Sequence, residues 1–145
     1  MTDIQTQTEW RELKKMPGLM GHIGPLLAKR EGESWRYGLQ TTEVHGNPIG
    51  VIHGGSLMAM LDQTATMIAI WITGEKAVLT VQMDTRFLAA ARIGDLIEGT
   101  ATLRHRTGTM LFIDAQLSVD GKAVADASLI MKLVAHKREG KDVPA

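Results

Sequence analysis

The chain contains no cysteine. That absence removes disulfides, thiolate metal sites and a cysteine nucleophile together. Net charge is absent too, with 16 Lys+Arg balanced by 16 Asp+Glu. Phosphate-backbone binding rewards a basic excess, so no nucleic-acid partner is expected. Aromatic residues are scarce, at two Phe, one Tyr and three Trp. The opening residues, MTDIQTQTEWRELKK, lack the apolar stretch of a secretory signal, and a soluble, cytoplasmic domain is expected. What remains is a chain of 145 residues, 44% hydrophobic and 22% charged, close to the soluble globular average. That length suits one domain with one core.

The longest apolar run, residues 56–72, reads SLMAMLDQTATMIAIWI. A bilayer span needs about 20 apolar residues and is penalised by a carboxylate at its centre. This run is shorter and holds Asp62 and Gln63, so it reads as a core helix and no membrane partner is expected. The helix is predicted from Gly54 or Gly55 to residue 73, closed by Gly74. Before it, the pattern predicts a short amphipathic helix over residues 8–15, ended by Met16-Pro17-Gly18. A polar turn at 29–33 and a strand over 35–44 follow. After Gly74 the hydrophobic period becomes two, with Leu79, Val81, Met83 and Phe87 alternating with polar residues. Further strands are predicted over 95–105, 110–119 and 122–135, the last two joined by an Asp120-Gly121 hairpin. The four strands are expected in meander order. Ala123, Ala125 and Ala127 share one face of the last, which would let a thick helix lie against a curved antiparallel sheet. The class is α+β. Residues 1–34 are read as an N-terminal helical adapter of the same domain, 35–135 as its main body and 136–145 as a charged, frayed tail.

The informative stretch is Asn47-Pro-Ile-Gly50-Val-Ile-His53-Gly54-Gly55, at the start of the long helix. Paired glycines let a ligand approach the backbone closely. First-turn amides lack intrahelical partners, and the helix dipole makes that end positive, so a polarised carbonyl is stabilised there. Asp62 is the second feature. A carboxylate inside an apolar helix pays desolvation unless it is paired or solvated, and Gln63 and Thr64 are neighbours able to bond it. No GxSxG elbow occurs, because Ser56 sits in Gly54-Gly55-Ser56-Leu57-Met58. A carboxylate and an electrophilic helix end suit a leaving group that departs easily. A thiol, with a pKa of about 8.5, qualifies, which points to thioester hydrolysis. Asp62 lies eight residues beyond Gly54, about 12 Å along a helix rising 1.5 Å per residue. One carbonyl cannot meet both groups of a single helix, so two subunits would share each site. The five histidines form no HxxxH or HExxH pattern, and neither a metal nor a cofactor is expected. Gly18 to Gly24 is not GxGxxG and opens no dinucleotide site.

Asn47-x-x-Gly50-x-x-His53-Gly54-Gly55, with Asp62 nine positions after His53, resembles the hotdog-fold acyl-CoA thioesterases of the phenylacetate-pathway (PaaI-like) type. The likeness continues through Thr80-Val-Gln-Met-Asp-Thr-Arg-Phe87-Leu and Ala91-Arg92-Ile-Gly94-Asp95, covering residues 35–134. It implies a hotdog fold, a long helix wrapped by the sheet, with subunits paired into a continuous sheet and dimers assembling into tetramers. It also implies that Asp62 is general base or nucleophile, that Gly54 N–H polarises the carbonyl, that Asn47 positions carbonyl or water, and that Thr80 assists the water. Asn47 and Gly54 would come from one subunit, and Asp62 and Thr80 from the other. Related clades carry Glu for Asp62 and Gln for Asn47. Here Pro48 also stiffens the backbone after Asn47. His53, Gly55 and Gln63 are candidate substrate contacts, with His53 positioning rather than acting as base. The coenzyme A phosphates would fall to Arg92, Arg104, Arg106 and the backbone at Gly108-Thr109. Nine methionines suit an adaptable acyl tunnel as well as core filling. A non-hydrolytic acyl-CoA binding module is the alternative, and a hotdog dehydratase ranks last.

Overall fold

His53 leaves helical geometry with ψ near 137° and caps the helix that follows, and Gly74 ends that helix in the left-handed region at φ +68°. Between them Leu57, Met60, Leu61, Thr64, Ala65, Ile68 and Ala69 recur at helical spacing and are buried. In the computed structural model, which describes residues 9–74 and 77–134, the elements run β1 (Arg11–Glu12), α1 (Leu19–Ile23), β2 (Leu27–Glu31), β3 (Ser34–Gln40), α2 (Gly54–Thr73), β4 (Val78–Phe87), β5 (Leu96–Arg106), β6 (Met110–Val119) and β7 (Lys122–Leu133). By length and composition α2 could cross a membrane. Instead, its apolar stripe packs against β3, β4, β5, β6 and β7, with Leu61, Ile68, Ile97, Leu111, Leu117 and Met131 fully buried between the layers.

The seven strands form one antiparallel sheet in the order β1-β2-β3-β5-β6-β7-β4. A long central helix against such a sheet is the hotdog architecture. The expected meander holds for β5, β6 and β7 but fails for β4, which pairs with β7 rather than β5. β5 is already partnered by β3, Leu39 facing Ile97, so the free edge for β4 is that of β7. On β7, Ala125 and Ala127 lie on the buried face with Leu129 and Met131. Ala123 falls off that face, because the β6–β7 register shifts at Leu117/Ser118. Asp120 and Gly121 make the predicted turn, both at positive φ.

The N-terminal expectation needs correction. Arg11 and Glu12 pair with Ala28 and Leu27 as an edge strand, and no helix occupies residues 9–15 (Thr8 lies outside the described residues). Tertiary contacts override the local pattern. The Trp10 ring lies where a Cβ on Gly38 would approach it to 3.0 Å, and the Lys29 ammonium sits 4.6 Å over that ring. The polar stretch 29–33 is mostly strand, with its turn confined to Gly32-Glu33 and Gly32 at φ +59°. The strand expected to reach Val44 stops at Gln40 and gives way to a 3-10 turn at Glu43–His45. Residues 135–145, including the predicted tail, lie outside the described residues.

Candidate active site

The loop before α2 folds back on itself. Gly46 bridges Ile52, Asn47 N–H donates to Val51 O at 2.8 Å, and Gly50 turns the chain at φ +85°. The Asn47 side chain closes this turn: its Oδ1 accepts from Ile49 N at 3.1 Å and from Val51 N at 3.3 Å. Among the described residues its Nδ2 has no partner, so the side chain is held by its oxygen and leaves its two N–H donors unbonded. Pro48 sits inside the turn without displacing Asn47.

At the helix start the amides are sorted. His53 Nδ1 accepts Gly55 N–H at 2.7 Å, and His53 O accepts from Ser56 N at 2.9 Å and Leu57 N at 3.2 Å. Gly54 N–H alone in this first turn makes no hydrogen bond among the described residues. Gly55, one of the candidate substrate contacts, therefore spends its N–H on the cap, and His53 is a capping residue. Gly54 borders an open pocket of 330 Å³, lined also by Ile52, Leu57, Phe87 and Leu88, with the Phe87 ring beside the glycine.

Two turns along α2, half-buried Asp62 accepts a hydrogen bond from Thr80 Oγ1 at 2.5 Å. The predicted pair is thus brought together in one chain. The expected partners differ: Gln63 Nε2 points to Met16 Sδ at 3.8 Å, and Thr64 Oγ1 is buried without a partner among the described residues, packed against Gly99. Gln63 is thereby turned toward the N-terminal segment and away from the carboxylate.

The basic residues sort by their partners. Arg104 reaches Asp114 at 3.5 Å, and Arg86 forks onto Asp126 at 2.8 and 2.9 Å. Arg92 and Arg106 make no ion pair among the described residues. Arg92 bridges Val51, on the Asn47–Gly54 side. Arg106, Gly108 and Thr109 belong to the β5–β6 hairpin end. Thr109 O accepts from Leu133 N, and Leu133 faces Val78 on β4, close to Thr80. Arg92 therefore lies toward Gly54, and Arg106 at the hairpin end, three strands from Thr80. Among the described residues no group of three His, Asp or Glu could hold a metal ion.

Sequence reasoning missed two residues. His45 is buried; its Nδ1 accepts Thr42 N–H at 2.9 Å, which fixes the proton on Nε2, and Nε2 donates to Ile23 O at 2.6 Å. Its carbonyl accepts His53 N–H and Ser56 Oγ–H, tying the loop to the helix start and to α1. Phe87, read only as a strand residue, walls Gly54. Neither carries a local signal, since both matter through contacts distant in sequence.

The thioesterase superfamily model matches residues 49–125. Acyl-coenzyme A thioesterase 13 of Mus musculus is 27% identical over 89 residues, which is 60% of this chain and 64% of that protein. The phenylacetic acid degradation-related protein of Ralstonia eutropha superposes with a TM-score of 0.70 at 30% identity, covering 81% of this chain and 90% of that one. A hypothetical thioesterase protein of Streptococcus pneumoniae, solved with coenzyme A, shares the fold with a TM-score of 0.69 at 16% identity, over 87% and 96% of the two chains. With an unpaired amide at the start of its long helix, a hydroxyl-bonded aspartate two turns on and more than half its length matched, this chain belongs to the thioesterase superfamily, as a hotdog-fold protein of the PaaI-like type.

Proposed function

We propose that the protein hydrolyses an acyl-CoA thioester to a free acid and coenzyme A. The observation that carries this is the sorting of the helix amides, which leaves Gly54 N–H free on the helix that presents Asp62. The thioester carbonyl oxygen accepts from Gly54 N–H, where the dipole favours the negative charge that develops on attack. Asn47 Nδ2 orients the carbonyl or the water. Asp62, steadied by Thr80, takes a proton from the water as the water's oxygen bonds the acyl carbon, or attacks that carbon itself, giving a mixed anhydride that water cleaves once the thiolate has left. The carbon–sulfur bond then breaks, and the thiolate leaves without a strong general acid.

The separation along α2, about 12 Å at 1.5 Å per residue, is the reason we put the two groups on different subunits. Gly54 and Asn47 of one protomer would work with the partner's Asp62 and the partner's Thr80. Support comes from β4, an edge strand that leaves Leu79, Val81 and Phe87 exposed. Arg92 from one side and Arg106 from the other would meet the coenzyme A phosphates, the class of ligand bound by the Streptococcus pneumoniae relative. A homodimer is the minimum unit, and a homotetramer of two such dimers is the expected assembly.

The test is release of free thiol from a panel of acyl-CoAs, with Asp62→Asn beside the native chain. Turnover by the native protein and its near-complete loss in the variant is the expected result. Saturable acyl-CoA binding without thiol release would make the chain a binding module instead.

A further inference from the structure

We infer that Met58 stands on the two-fold axis of the working dimer and limits the bulk of the acyl group in both sites. This rests on the shared-site reading above. Gly54, Met58 and Asp62 follow one another at four-residue spacing and share a helix face. In an isologous pair, if Gly54 faces the partner's Asp62, then Asp62 faces the partner's Gly54. The residue midway between them must face its own copy, and that residue is Met58.

On the same reading, β4 has a corresponding centre. Phe87 lies against Gly54, and Thr80 bonds Asp62, so β4 runs antiparallel to α2. Allowing for the register shift between Thr80 and Gln82, the midpoint of Thr80 and Phe87 falls at Asp84, which faces Ser128 midway between their partners Met131 and Ala125, and neighbouring Met83 is half-buried against the core.

Met58 leaves 39% of its surface exposed, although Leu57 before it and Met60 two residues on are buried. It stands about 6 Å along the helix from each functional group, at 1.5 Å per residue. An acyl chain whose carbonyl oxygen meets Gly54 N–H has its next carbons within reach of that thioether. Side by side, the two copies form one apolar wall between the two sites. The wall accepts acyl groups that end short of the axis and excludes those that cross it. An unbranched thioether adapts to the boundary without fixing it rigidly.

Because the chain has no cysteine, Met58→Cys introduces one thiol per subunit. A short bifunctional methanethiosulfonate should convert it to a covalent dimer, which the native protein cannot form. Met58→Ala should raise kcat/KM for the longest or bulkiest acyl-CoA over the shortest by about tenfold, the scale of one or two methylenes in an apolar pocket. Met58→Leu, of similar volume, should keep the native preference. A covalent dimer with an unchanged acyl preference in Met58→Ala overturns the selectivity role. No covalent dimer, while inactive Asp62→Asn and Asn47→Ala subunits still restore activity on mixing, overturns the axial placement. Failure of that mixing would instead overturn the shared-site reading itself.

Discussion

Replacing Gly54 with alanine should make the protein more stable and less active. Gly54 is helical and not at positive φ, so alanine can adopt its backbone. A Cβ built there meets Phe87 Cζ at 3.4 Å and Cε1 at 3.5 Å, ordinary contact with a ring that can accept it. The gain comes from the unfolded chain, which loses freedom that the native state no longer has to remove. That gain is about 0.4–1 kcal/mol for a compatible glycine-to-alanine change. A domain of this size should melt roughly 1–4 °C higher for it. The same methyl stands beside the one free amide of the first turn, on the wall shared with Phe87, and holds the thioester carbonyl off the N–H. Loss of one such donor costs about 100- to 1,000-fold in kcat. Thermal melting and thiol release on one preparation read both quantities. A stable variant with native kcat would refute Gly54 N–H as the polarising group. A destabilised variant would refute the packing described beside Phe87.

Three further outcomes follow from individual side chains. Thr64 Oγ1 is buried without a partner among the described residues, so Thr64→Val, similar in shape, should raise stability by about 1 kcal/mol in urea denaturation; a loss of that size would mean the hydroxyl is bonded. His53→Ala should cost about 1 kcal/mol by releasing Gly55 N–H, and His53→Asn should recover most of it as a competent cap; equal losses in the two would contradict the capping role. Burial pushes the phenol of Tyr37, the chain's one tyrosine, up to about 12 from its usual 10.0. The neutral form is the one the fold prefers, so this contribution is intact below pH 10 and is lost as pH rises toward 12. Phenolate absorbance should show a native midpoint near that higher value, and a native midpoint at the unfolded position would exclude the burial effect.

The long helix was legible because its ends are marked locally: two glycines at its start and a glycine after Thr73 bound an apolar run. The period-two strands and the Asp120-Gly121 turn were legible for the same reason. The placement of β4 was not, since strand order depends on which edge is free once β3 and β5 have paired, and no local pattern records that. The first strand was hidden because Arg11 and Glu12 are held by pairing with β2, while their own neighbourhood looks helical. Among the candidate site residues, Asp62 and Gly54 stood out from their own setting, and the role of Asn47 came from family likeness. The Thr80–Asp62 bond entered through family likeness. His45 could not be found at all, because its partners, Thr42, Ile23 and the helix start, come together only in the fold.

The central claim, that one subunit supplies the amide and the other the carboxylate, is tested by mixing inactive subunits. Asp62→Asn and Asn47→Ala chains are unfolded together in equal amounts, refolded and assayed for thiol release. Half of the dimers formed are mixed, and each mixed dimer holds one intact site and one doubly altered site. Activity should therefore return to about a quarter of the native value, by the statistics of a two-fold pair. Activity no greater than that of the two variants refolded separately would contradict the shared site.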